Sequence, residues 1–311
     1  MLPISIEVPS EFLLEEKRCD YIVSSKMKQV WAIQLDLLTQ LQNICKKYGL
    51  EYFADSGTLI GAMRHKGYIP WDDDIDIAMK REDYERLIEI APKELSEPYF
   101  LQNAYSDRFV KGYSRLRNTR TTCITLHDVK MKCNKGIFVD IFPLDLIPEG
   151  TDERSPWIKN LKRRLDLIQV GANFRPSDFD NPLKKAVCFA ENIYFNIFDY
   201  KKSFQRFEKE CAKYNGTNST KMSYIEYSMG KAKHYWDASC FGGSLEVPFE
   251  FTKISIPKGY DSRLRVEYGD YMEMRKAPTQ HGTAILEPEI SYIDYEKQYS
   301  REEIVEIIRR G

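Results

Sequence analysis

"GYIPWDDDIDIAM", residues 67–79, crowds four aspartates into five positions between a tryptophan and a β-branched apolar run. Read as a strand, its side chains alternate, so Asp72, Asp74 and Asp76 share one face while Ile75, Ile77 and Met79 enter a core on the other. Two carboxylates so close on one face repel unless a cation sits between them, and oxygen-only ligands suit Mg²⁺ or Mn²⁺. The competing reading is a solvated acidic edge, the usual account of an acid run. Trp71 and the isoleucines weigh against it, because unpaired charge among apolar neighbours is costly. Asp73 falls on the opposite face of a regular strand, where it is expected to bond backbone or a nearby base away from any metal.

Just upstream, "FADSGTLIGAMRHKG" (residues 53–67) predicts a short strand, a Ser-Gly turn and a short helix ending before Gly67. Ser56, Gly57 and Thr58 at the mouth of that helix leave backbone amides able to approach a phosphate, helped by the helix dipole. A plain strand-to-helix turn uses the same residue types. Arg64, His65 and Lys66 supply positive groups at the other end of the helix.

Further out, Val30, Ile33, Leu37, Leu38, Leu41, Ile44 and Cys45 recur at spacings of three and four, predicting an amphipathic helix over Lys26–Tyr48 capped by Gly49. "REDYERLIEIAPKEL" reads as helix, and "GYSRLRNT" (112–119) and "GIFVDIFPL" (136–144) as strands. Arg115 and Arg117 share a face of the first of these, to grip a diphosphate or to line a solvated edge. Residues 155–214 are helical in character, with Pro156, Pro176 and Pro182 expected to break them into pieces. Their patch Lys159, Lys162, Arg163 and Arg164 reads as a solvated helix face, with lipid headgroups the lesser alternative. "SREEIVEIIRRG" closes the chain as a helix capped by Ser300 and Glu303.

The 311 residues are 42% hydrophobic with a net charge of −1, enough for a sizeable core and without the basic field that nucleic acid needs. Seven scattered cysteines lack a C-x-x-C pair and suit a reducing cytoplasm. Cys123, His127 and Cys133 are too loosely spaced for a strong zinc signal. The N-terminus does not read as a secretory signal, and no apolar run is long enough for a spanning helix. The expectation is a cytoplasmic protein, free or peripheral at the inner face of the membrane.

Small turn, helix and carboxylate strand, in that order, look like the plan of the nucleotidyltransferase fold. The stretch "FADSGTLIGAMRHKGYIPWDDDIDIAMKREDYERL" closely resembles the LicD family of phosphocholine transferases, related to the fukutin-type ribitol-phosphate transferases. "KGIFVDIFPLDLIP" and "VEYGDYMEMRKAPTQHG" resemble the family's later blocks, in the same order. The resemblance implies an α+β protein with a nucleotidyltransferase-like mixed sheet core and helical additions. The core is expected at 24–150, and 151–311 as a mainly helical middle region and a C-terminal segment completing the site, with a soft boundary.

It also implies that Asp74 and Asp76 bind metal, with Asp72 a third ligand or a supporting acid. Asp140, whose neighbours Ile137, Val139 and Ile141 face the other way, would take the acceptor's proton. His281 in the last block is a candidate to reach the site, a structural histidine being equally open. The implied reaction moves a phospho-alcohol, typically phosphocholine, from a CDP-linked alcohol donor to a glycan acceptor, free or lipid-linked, with no nucleic acid involved. Two alternatives share these residues: a nucleotidyltransferase moving a nucleoside monophosphate, and a non-catalytic binding relative.

Overall fold

The apolar repeat around Val30 to Cys45 folds as helix α1, Ser25–Tyr48. The Ser24 side chain accepts from the amide of Met27, and Gly49 ends the helix in left-handed backbone with φ 65°. Such an N-cap contributes about 1 kcal/mol. The computed structural model describes residues 1–228, 235–276 and 283–310.

A hairpin of β1 (Glu16–Arg18) and β2 (Tyr21–Val23) precedes α1. After it come β3 (Phe53–Ala54), α2 (Ser56–Arg64), β4 (Asp76–Lys80), α3 (Arg81–Glu94), β5 (Tyr99–Gln102), β6 (Ser114–Asn118), β7 (Thr122–Ile124) and β8 (Ile137–Leu146). Helices α4 (Thr151–Asn173), α5 (Pro182–Ile197) and α6 (Tyr200–Cys211) follow. The chain continues through β9 (Lys221–Ser223), α7 (Ile225–Ser228), β10 (Trp236–Asp237), the hairpin β11 (Ser244–Phe249) and β12 (Thr252–Pro257), and α8 (Tyr260–Tyr268). It ends with β13 (Ile285–Glu287), α9 (Tyr292–Gln298) and α10 (Arg301–Arg310), the last entered through reciprocal bonds between Ser300 and Glu303.

Among the described residues, a mixed sheet of seven strands is built on β8, giving the expected α+β class. β8 runs parallel to β4 along one edge, with Asp76 level with Asp140. Along the other edge it pairs antiparallel with β6 over its first half and with β9 at its end. Such a central strand is buried on both faces and therefore reads as nearly continuous apolar sequence. β3, β5 and β10 extend the sheet outward. The main core joins α1 and β4 to Phe249, Ile254, Ile256 and Leu264 from the C-terminal third. A second cluster, with Trp157, Leu161, Leu165, Phe204 and Phe207, holds α4 against α6.

Two expectations are corrected. Pro156 does not break the helical region: it lies inside α4, as its sixth residue. The strand holding the acids starts at Asp76, so alternation never places Asp72 and Asp74 on its face. Among the described residues, no helix is long and apolar enough to cross a membrane.

Candidate active site

Two glycines on α2 decide where the acids go. A Cβ on Gly61 would run into the backbone carbonyl of Gly67, and one on Gly57 would stand 2.5 Å from Asp72 Oδ2. Residues 67–72 therefore run back along α2 from its end to its mouth. That return is pinned from α1: Trp31 Nε1 donates to the Asp72 carbonyl (3.0 Å) and Gln34 Nε2 to that of Asp73 (2.7 Å). Tyr68 stacks flat on Trp31 at 4.4 Å, an aromatic contact that contributes about 1 kcal/mol. Side chains of α1, not a strand ladder, hold the backbone of the acid run.

The outcome is a knot of carboxylates. Oxygens of Asp72, Asp73 and Asp74 all lie within 4.8 Å of one another. Asp73 thus joins the cluster instead of facing away, a correction that follows from the irregular backbone before Asp76. At that spacing each ionised pair repels by about 3 kcal/mol at an effective dielectric of about 20. Burial, then Asp74 and Asp73, push the Asp72 carboxyl well above its ordinary range. Burial, then Asp74 and Asp140, do the same to Asp76. A proton or a cation must offset this charge, and an all-carboxylate donor set fits a hard divalent ion.

Asp76 is tied to the α2 mouth through its backbone. Its amide donates to Thr58 Oγ1 (2.8 Å), and its carbonyl accepts from the Asp55 amide (3.0 Å). Thr58 is accordingly buried and joins helix to strand. Ser56 stands in left-handed backbone, φ 49°, and its amide is taken by the Asp55 carboxylate (2.8 Å). Serine adopts that conformation at a cost, a kind of strain that collects at functional sites.

Asp140 sits one strand over, its Oδ1 accepting from Arg115 Nε at 2.7 Å. Arg115 also lies over the Phe138 ring at 3.8 Å, so this buried guanidinium holds the carboxylate more than it reaches outward. Arg117 is corrected outright: it is fully enclosed, donating to Gln102 Oε1 and the Gly136 carbonyl, with no face left for a diphosphate.

Arg64, His65 and Lys66 lie at the far end of nine-residue α2, about 12 Å from its mouth. Arg64 donates to the carbonyls of Tyr271 and Glu273. Burial, with Arg64 and Arg18, lowers the pKa of His65 to about 4, so it is neutral at pH 7 and supplies no charge. Lys66 is exposed, with its carbonyl bound by the Glu250 amide. His281 lies outside the described residues.

Sequence reasoning missed the support beneath the site. Asp55 caps α2 and is itself held by Arg263 of α8, Nη2 to Oδ1 at 2.8 Å, both fully buried. Tyr224 donates to the other Asp55 oxygen, Arg263 Nη1 pairs with Glu267 at 2.5 Å, and the guanidinium lies 3.6 Å from the centre of the Trp236 ring. An arginine more than 200 positions from its partner leaves no local signal. Cys123 and Cys133 are buried with thiols pushed up to about 12, and neither joins a metal-binding group among the described residues. A cleft of about 880 Å³ elsewhere, between residues 129–135 and the ends of α4 and α10, is lined by none of the clustered acids.

A first prediction follows from the return path. Gly57→Ala displaces Asp72, so half-maximal activity should need roughly tenfold more Mg²⁺ with little change in melting temperature. A Mg²⁺ titration matching wild type would show that Asp72 has no part in the site.

Residues 49–167 match the family model of the LicD/FKTN/FKRP nucleotidyltransferase domain. The chain is 28% identical to the lipopolysaccharide cholinephosphotransferase LicD of Haemophilus influenzae over 256 residues, 80% of this chain and 92% of that one. It is 33% identical to an uncharacterized protein of Rickettsia prowazekii over 138 residues, 44% of this chain and 47% of the other. The matched span holds the α2 mouth, the acid run and Asp140; over residues 49–167 the chain is similar to the LicD/FKTN/FKRP nucleotidyltransferase domain.

Proposed function

We propose that this enzyme moves phosphocholine from a CDP-linked donor to a hydroxyl of a cell-surface glycan, releasing CMP. The carboxylate cluster at the mouth of α2 carries the reading. Its all-oxygen donor set fits Mg²⁺ or Mn²⁺, which Asp72, Asp73 and Asp74 would hold as the clustered group, with Asp76 outside that group but in electrostatic reach of it. When bound, the divalent ion offsets the charge on the phosphates and on the departing nucleotide.

The chain's own groups do the rest. The start of α2 faces the donor's diphosphate with its positive helix end. Asp140, oriented by Arg115, accepts the proton of the acceptor hydroxyl as its oxygen bonds to the phosphorus. The bond from that phosphorus to the CMP oxygen breaks, CMP leaves with the electron pair, and no covalent enzyme intermediate is required.

An aromatic wall beside Asp140 supports choline as the alcohol. Phe142 lies two residues further along β8, on the same face, with the partly buried Tyr113 ring 4.7 Å away. Electron-rich ring faces favour a quaternary ammonium over a neutral polyol. The H. influenzae relative is, by its name, a cholinephosphotransferase acting on lipopolysaccharide.

The reading is tested by offering CDP-choline, CDP-ethanolamine, CDP-glycerol and CDP-ribitol with a glycan acceptor and measuring metal-dependent CMP release. CDP-choline should turn over fastest, and Phe142→Ala should cut its advantage by roughly tenfold. Faster release from CDP-glycerol or CDP-ribitol would refute phosphocholine as the transferred group.

A further inference from the structure

Helix α5 is built inside out. Its inward side holds few large side chains: Cys188 is its one fully buried side chain among the described residues, Asn192 donates to the carbonyls of Gly171 and Phe174, and Phe195 packs against Gly171 of α4. Its outward face is apolar, with Leu183 73%, Phe189 59% and Ile197 69% exposed, and Phe198 just beyond its end 56% exposed. An amphipathic helix normally buries such a face, and an exposed apolar patch rimmed by polar groups marks an interaction surface.

The chemistry around the patch names the partner. A groove of about 530 Å³ between α4 and α5 has an apolar lining, including Leu167, Val170 and Val187, and is edged by four bases, Lys159, Lys162, Arg163 and Lys184, against two acids, Asp166 and Glu191. From Lys159 to Lys202 the chain carries nine Lys and Arg against five Asp and Glu, in a protein of net charge −1. A second copy of the chain is a poor occupant, since a symmetric dimer would set this basic rim against itself.

We propose that α5 and the basic edge of α4 form a surface that docks on an anionic lipid bilayer, apolar side chains in the acyl boundary and lysines at the headgroups. The basic patch is then more than a solvated helix face. Docking would bring the enzyme to the plane where a lipid-anchored glycan presents its hydroxyls, yet the surface rests on no part of the proposed reaction.

The test is co-sedimentation of the full-length chain with vesicles of phosphatidylcholine alone or with added phosphatidylglycerol. Wild type should sediment with the anionic vesicles only and be released by high salt. The bound fraction should fall about tenfold in Leu183→Glu/Phe189→Glu/Ile197→Glu and, separately, in Lys159→Glu/Lys162→Glu/Arg163→Glu. Both variants change exposed residues, so far-UV circular dichroism and activity on a water-soluble acceptor should stay at wild-type levels. Absence of binding to anionic vesicles, or equal binding by wild type and both variants, would overturn the proposal. So would a wild-type dimer in light scattering that becomes a monomer in the triple-glutamate α5 variant without any vesicle binding.

Discussion

Asp76→Ala and Asp74→Ala should each lower transfer by roughly 10³-fold while the protein stays folded. The charges that push the Asp76 carboxyl up come from Asp74, Asp140, Asp72 and Asp55, all of like sign, so removing its carboxylate relieves repulsion. Metal-free Asp76→Asn should therefore melt at or above the wild-type temperature. Mg²⁺ should raise the melting temperature of wild type more than that of the variant. The pH dependence has a definite sign. Carboxyls whose folded pKa lies above the unfolded value, as at Asp72 and Asp76, bind more protons in the folded state. Metal-free stability should then fall as pH rises from the ordinary carboxylate range toward neutrality, and Mg²⁺ should flatten that slope. Wild-type activity in either alanine variant, with Mg²⁺ present, would remove these residues from the chemistry.

Arg263→Met should be the most destabilising single change near the site. The guanidinium is enclosed between Asp55, Glu267 and the Trp236 ring, and its loss strands two buried carboxylates. Breaking one partner out of such an arrangement costs about 3–5 kcal/mol, or a fall in melting temperature of roughly 10 °C in a chain of this size. Arg263→Lys keeps the charge but loses the fork that bridges Asp55 and Glu267, and should fall between. Adding Asp55→Asn to Arg263→Met should recover part of the stability, because the stranded charge is gone. Activity should stay low in the double variant, since the start of α2 has lost its cap. Thermal melts of the four proteins give the coupling directly; additive losses would show that Arg263 and Asp55 do not act as a pair.

The parts of the fold read correctly from sequence are those whose causes are local. α1 carries its own period, its Ser24 start and its Gly49 stop, and the structure places it within one residue of the expected span. The acids of the site were legible because unbalanced charge beside Trp71 and Ile75 is conspicuous. Their arrangement was not. Residues 72–75 alternate like a strand, but side chains of α1 take the Asp72 and Asp73 carbonyls, so pairing begins only at Asp76 and Asp73 swings into the cluster. Arg115 and Arg117 look alike in sequence and share a strand face. Only the tertiary structure separates them, giving one Asp140 as a partner and closing the other in behind Gln102 and Gly136. Pro156 shows the same limit from the other side, since packing of Trp157, Leu161 and Leu165 outweighs one missing backbone donor.

Two bonds of the donor's diphosphate bridge could break, and the products tell them apart. Wild-type protein, CDP-choline, Mg²⁺ and a glycan acceptor should yield free CMP in one-to-one ratio with an acceptor heavier by one phosphocholine, read by mass spectrometry. An acceptor carrying CMP, with phosphocholine set free, would contradict the account and make the enzyme a nucleotidyltransferase.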